Sequence, residues 1–288
     1  MKTRTVLALG LAVACISTGA PFAQLAAPAP PIAIAALRVG IAALLLLAAG
    51  WREVSGLRQI ARRDWGFVVL SGLLLALHFG SWIASLSFTS TAASVALVCT
   101  NPIFAALFGR MFLGDRVAPR EVMGIGIAAA GCAVLAGGDW QAGGDALVGD
   151  GLALVGAASA AGYLVVGRRL RTAVPLLPYL GTVNAIAAIA LVIAATVTGA
   201  NLAALDGRAY LACAGAALVA SFVGHSLLNA AVRTTPTHLV ALAILGEPVG
   251  SSLITWIAFG EEPPVYAAIG GAIVLVGIAA GFVRRAQA

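Results

Sequence analysis

The feature that most constrains this chain is the recurrence of apolar blocks about 20 residues long, parted by short segments that hold almost all of the charge. About 20 apolar residues let a helix cross the roughly 30 Å hydrocarbon core of a bilayer. A helix also satisfies its own backbone hydrogen bonds where no water can. Blocks of this kind fall at about 5–24, 31–49, 65–89, 91–113, 120–136, 151–170, 177–199, 209–232, 235–259 and 264–283. The expected fold is therefore all-α and integral to the membrane, with ten transmembrane helices. Ten spans in 288 residues leave no room for a sizeable extramembrane domain. With 61% hydrophobic and 10% charged residues, the chain also falls outside the soluble globular class, where about a quarter of residues are charged.

The net charge of +6 does not form a nucleic-acid-binding face. Of the 17 Lys and Arg, all but two lie on alternate connections, at 2–4, 52–63, 110–120, 168–171, 233 and 284–285. Arg208 lies on the other side and Arg38 within a span. That asymmetry places both termini in the cytoplasm, in a bacterial-type cytoplasmic (inner) membrane. The partners it implies are the lipid bilayer and a small-molecule substrate, with no nucleic acid. Lys2 and Arg4 followed by an apolar run also resemble a secretory signal peptide, whose removal would leave nine spans. Cys15, Cys99, Cys132 and Cys213 lie inside apolar runs, without zinc-ligand spacing or a loop pair for a disulfide.

The chain also matches itself. Asn101-Pro102 recurs as Glu247-Pro248 and Gly114-Asp115 as Gly260-Glu261, both 146 positions on. In the same register Thr89 and Thr91 meet Thr235 and Thr237, Gly124 meets Gly270, and Gly131 meets Gly277. Two repeats follow, 1–137 and 151–288, joined by an extracytoplasmic linker at 138–150. Five spans per repeat is an odd number, so the second repeat enters the membrane inverted. Inverted repeats build alternating-access carriers with substrate sites at the repeat interface.

The series Ala35-Ala36-Leu37-Arg38-Val39-Gly40, Thr89 to Ala93, Pro102 with Gly114-Asp115, and Glu247-Pro248-Val249 with Gly260-Glu261 resembles the EamA-type branch of the drug/metabolite transporter superfamily over the whole chain. The resemblance implies a ten-helix carrier, usually an exporter of amino acids, metabolites or drugs. The general layout is similar to the YddG-like exporters of aromatic and other neutral amino acids. The first helix departs from the family pattern, with Ser17-Thr18-Gly19 where a Trp-Gly pair is frequent.

Polar residues within a span usually face a cavity or a neighbouring helix. His78, Trp82 and Ser85 share one stripe of the third helix. Ser221, His225 and Asn229 share one of the eighth, and Glu247, Ser251 and Thr255 one of the ninth. With Asn101 and Tyr163, the residues His78, Trp82, Ser85, His225, Asn229 and Glu247 are the expected lining of a central substrate cavity. The competing reading is that they join helices by hydrogen bonds. Glu247, deep in a span, needs a partner cation or a proton. It serves either proton coupling or substrate-amine binding, or a structural hydrogen bond opposite Asn101. Arg38 pairs with Glu247 or a substrate carboxylate, or snorkels outward.

Pro102 and Pro248 are expected to kink the fourth and ninth helices and act as hinges. Gly124, Gly131, Gly270 and Gly277 mark close packing of helices five and ten, within one chain or between chains. All six Asp lie at loops or span ends, and there is no H-E-x-x-H or G-x-S-x-G, so no enzyme is expected. No phosphate-binding G-x-x-x-x-G-K-[ST] is present, and no cofactor or metal is expected. The alternative function is export of cationic drugs or other metabolites by proton exchange, with Glu247 attracting the cation.

Overall fold

A computed structural model describes residues 3–85, 87–89, 91–136, 144–170, 174–260 and 262–282. Lys2, Ser90, Arg171, Glu261, Arg284, Arg285 and linker residues 137–143, all singled out above, lie outside the described residues. The described regular elements are all helical: α1 (Thr3–Ile16), α2 (Gly19–Leu25), α3 (Pro31–Ala49), α4 (Trp65–Ser85), α5 (Thr91–Val98), α6 (Asn101–Leu113), α7 (Pro119–Ala136) and α8 (Gly144–Arg169). After them come α9 (Leu176–Val197), α10 (Gly207–Gly215), a π-helical segment (Ala216–His225), α11 (Ser226–Val232), α12 (Thr237–Ile244), α13 (Glu247–Phe259) and α14 (Val265–Phe282). Tight 3₁₀ turns, Trp51–Gln59 and Arg62–Asp64, carry the arginine-rich second connection.

Among the described residues nine helical stretches are long and apolar enough to cross a membrane. The tenth expected span coincides with α7, an 18-residue helix. The outer surface is apolar: Leu44, Val197, Leu211, Ile257 and Val265 are each at least 69% exposed. A soluble monomer does not leave such a continuous apolar coat in water. The interior is built of small residues, among them Ala33, Ala35, Ala42, Ala153, Ala157, Ala161 and Ala217, so that helix backbones approach closely.

Element bounds repeat at the 146-residue offset. The pair α5–α6 recurs as α12–α13, and α7 recurs as α14, residue for residue. Equivalent helices pack on each other, α3 against α9 and α7 along α14, while α4 lies on α8 and α9. The α7–α14 seam lies within one chain. Gly114 and Gly260 end α6 and α13 in the left-handed conformation, with φ of 68° and 71°. That requirement explains why glycine recurs there.

The fourth and ninth spans each carry a two-residue turn, at 99–100 and 245–246, within the membrane-crossing stretches Ala93–Leu113 and Thr237–Phe259. Pro102 and Pro248 are each the second residue of the following half-helix. Each proline lacks the N–H that would otherwise continue the helical ladder across the turn before it. α8 starts at Gly144, so the later part of the segment expected as linker is helical. Asp145 in its first turn complements the helix dipole, and Ala146-Leu147-Val148 continues the turn. The first span divides likewise, at 17–18.

Candidate functional site

The polar side chains of the interior converge where α3, α4, α8, α9 and the π-helical segment meet. At the centre is Arg38, with 5% of its surface exposed. Its Nε donates to Ser221 Oγ at 2.9 Å, and its guanidinium lies 4.8 Å from the centroid of the Phe79 ring. Arg38 therefore does not snorkel; α3 holds it among Ala35, Ala36, Val39 and Ala42, all buried. His225 meets the edge of Phe79 at 5.9 Å, so Arg38, Phe79 and His225 form one layer across the bundle.

A small cleft lies on each side of that layer. The first is lined by Phe22, Ile34, Arg38, Trp82, Ile83 and Cys213, with Gly19 and alanines completing the wall. The second is lined by Leu75, Phe79, Tyr163, Asn184, Ser221 and His225. Each has a volume of about 10 Å³, room for roughly one water. Neither cleft holds a solute of amino-acid size as it stands.

Local chemistry fixes the lining. His78 Nδ1 donates to the Gly156 carbonyl at 2.9 Å, which leaves Nε2 as the other ring nitrogen, and the ring stacks on Trp82 at 6.2 Å and 6°. Trp82 Nε1 is buried without a partner. Asn229 Nδ2 donates to Tyr163 Oη and to the His225 carbonyl, each at 2.8 Å. The wider turn of the π-helical segment presents Ser221 and His225 to the centre, and such segments recur at functional sites.

The structure thus joins His78 to Trp82, and Asn229 to Tyr163 and His225; Trp82 lines the first cleft, Tyr163 and His225 line the second, and His78 and Asn229 line neither. It does not bring Ser85 to them: that hydroxyl bonds Ser94 Oγ and the Trp82 carbonyl, each at 2.6 Å, at the α4–α5 corner. Asn101 and Glu247 begin α6 and α13 at equivalent positions and line neither cleft. Asn101 Oδ1 is buried without a partner, and Ser17 Oγ donates to the Glu247 backbone carbonyl at 3.3 Å. No Arg38–Glu247 ion pair forms within 4.0 Å; among the described residues the ion pairs are Arg168–Asp115 and His238–Glu121.

Sequence reasoning missed Phe79 and Asn184. Phe79 adjoins His78 but belongs to the stripe Leu75–Phe79–Ile83, which steps by four and was legible as the apolar core face. Asn184 was the one amide in the seventh span. Among the described residues no group of three His, Cys, Asp or Glu could hold a metal ion.

Outside the layer, the two ends of the bundle are tied differently. At the arginine-rich end Asp115 pairs with Arg168, His238 Nε2 donates to Glu121 at 3.1 Å, and Arg233 donates to the Val174 carbonyl at 2.8 Å. Burial holds the Arg233 guanidinium below its usual range, with Tyr179 and Glu53 offsetting part of the shift. At the opposite end Thr89 Oγ1 donates to Asp150 at 2.9 Å. Apart from Arg233, which stays within the second half, these ties join residues of the first half of the chain to residues of the second.

Comparison with known proteins decides the family. The model of the EamA-like transporter family matches residues 3–137 and again 147–282. The chain belongs to the EamA-like transporter family. It is accordingly a multi-pass membrane protein of a family that transports small molecules. An uncharacterized transporter of Bacillus subtilis (strain 168), YvbV, is 29% identical over 136 residues. That match covers 46% of this EamA chain and 44% of the relative, so it spans less than half of the relative's length. A protein of known crystal structure, 22% identical, superposes with a TM-score of 0.84 over 98% of this chain and 97% of that one, and so shares the fold.

Proposed function

We propose that this EamA protein is an inner-membrane secondary transporter that exports aromatic and other neutral amino acids by alternating access. In this reading it has ten spans with both termini cytoplasmic, organised as repeats 1–137 and 151–288 of opposite orientation. The linker at 138–150 is extracytoplasmic, and the arginine-rich end faces the cytoplasm. The observation that carries the reading is the layer of Arg38, Phe79 and His225 between two clefts. Rocking of one repeat against the other would open one cleft while the layer seals the second. His78, Trp82, Tyr163, His225 and Asn229 supply aromatic faces and hydrogen-bonding groups for a zwitterion with a ring. Asn101 and Glu247, at the starts of the second half-helices, join the lining as the repeats move, with Pro102 and Pro248 beside them at the hinges. Ser85 holds the corner that moves with α4.

The test is counterflow of labelled tryptophan into proteoliposomes. His78→Leu and Trp82→Ala are expected to reduce it at equal protein level, and an unchanged rate in both removes the pocket. One observation favours a second reading, export of cationic drugs by proton exchange: Glu247 sits within a membrane-crossing stretch without a bonded cation. Under that reading Glu247→Gln abolishes transport of cations.

A further inference from the structure

The Arg38 guanidinium is a buried cation with a single hydrogen bond among the described residues. Its Nε is used by Ser221 and one face by Phe79, but Nη1 and Nη2 have no acceptor among the described residues. Glu247 is near enough to act on it through space, yet does not touch it. Trp82 lines the same cleft, and its indole N–H is buried without an acceptor among the described residues. The rest of the wall is Phe22, Ile34, Ile83 and small residues, which offer no carboxylate or amide oxygen. Gly19 faces the guanidinium so closely that a Cβ would stand 3.3 Å from Nη1.

A buried polar group without a hydrogen bond is costly, and a buried cation inside a bilayer more so. Two residues of one apolar cleft that carry donors without an acceptor describe a place for an acceptor. We propose that this cleft is an oxyanion site, in which Arg38 and the Trp82 indole N–H bind the single carboxylate of the carried solute. The inference rests on the carrier reading above and names the group by which the cargo is held. The guanidinium fork matches a carboxylate through two parallel hydrogen bonds. Arg38 supplies a single positive charge, which matches one carboxylate and disfavours the two charges of a phosphate monoester. An ammonium group would meet a cation there and no acceptor, so the amine of a zwitterion points away, toward His78 or beyond the layer.

The experiment measures ligand-induced thermal stabilisation of the purified full-length protein in detergent, with indole-3-propionate, tryptamine and tryptophan as probes. Indole-3-propionate and tryptophan are expected to raise the unfolding temperature in a saturable way, and tryptamine to have no effect. Arg38→Gln is expected to weaken indole-3-propionate by about tenfold or more, the loss of a charge-assisted pair. Trp82→Phe keeps the ring and removes the N–H, and is expected to weaken it about threefold. The contrast among probes in the wild-type protein stands even if Arg38→Gln does not fold. Tryptamine binding as tightly as indole-3-propionate overturns the proposal. So does a half-saturation within about twofold of wild type in folded Arg38→Gln, or no stabilisation by either carboxylate. Counterflow separates this proposal from the amino-acid reading. If indole-3-propionate binds through Arg38 while tryptophan is not carried, the site stands and the amino-acid reading fails. If tryptophan is carried without discrimination for the carboxylate, the reading stands and the site fails.

Discussion

The seam between α7 and α14 gives a prediction whose size follows from geometry. A Cβ added at Gly131 would stand 2.6 Å from Val274 N, 2.8 Å from the Gly270 carbonyl oxygen and 2.9 Å from Val274 Cγ2. Ordinary contact lies near 3.5 Å, so the helices must part by roughly 0.8 Å. Two of the three neighbours are backbone atoms and cannot turn aside. Opening a packed seam by that much forfeits a quarter or more of the dispersion energy of neighbouring pairs, and overpacking costs about 1–3 kcal/mol.

Gly126, on the same helix, has nothing within 4 Å of its added Cβ. Gly126→Ala is therefore expected to stabilise by about 0.5–1 kcal/mol through helix propensity. The two variants carry the same chemical change and differ only in what the methyl meets. The propensity gain is common to both, so their unfolding temperatures in detergent should differ by about 2–12 °C, from the overpacking cost at roughly 2–4 °C per kcal/mol. If Gly131→Ala unfolds at the temperature of Gly126→Ala, the backbone-to-backbone packing of α7 on α14 is wrong.

Three further outcomes are expected. Tyr163→Phe removes an acceptor from Asn229 and should cost about 1 kcal/mol; with Asn229→Ala the two losses should not add, as a double-mutant cycle of unfolding free energies would show. Asp115→Asn leaves Arg168, whose side chain is 14% exposed, without its counter-charge, for a loss of about 2 kcal/mol. Adding Arg168→Gln should recover at least half of that in thermal unfolding. Glu247→Gln should leave tryptophan counterflow within about twofold of wild type, whereas a cation carrier would lose transport.

Much of the fold was legible because membrane spans are set by length and apolarity. Pro31 to Ala49 was read to the residue, and the 146-residue register of Gly114 with Gly260 reappears as two left-handed helix ends. The turns at 99–100 and 245–246 were not legible from hydropathy, because Cys99-Thr100 and Leu245-Gly246 remain apolar or neutral across them. The π-helical segment, which packs against α1 and α3, gave no signal in the sequence.

The site was legible in part. His78 with Trp82 and His225 with Asn229 emerged from spacing, because polar side chains in a span need a reason to be there. Phe79 was hidden by being apolar. Ser85 shared the stripe of His78 but turned to Ser94, a neighbour created by the α4–α5 corner. For Arg38, sequence left snorkelling and pairing both open; in the fold it lies against Gly19 and Ser221, residues far away in the chain.

The most direct measurement of the central claim is counterflow of radiolabelled tryptophan and threonine into proteoliposomes of the purified protein, with and without an imposed pH gradient. The account predicts saturable counterflow inhibited by unlabelled amino acids, and insensitivity to the gradient would give Glu247 a structural role. Absence of counterflow from folded, correctly reconstituted protein would contradict amino-acid transport and leave the cationic-drug reading in its place.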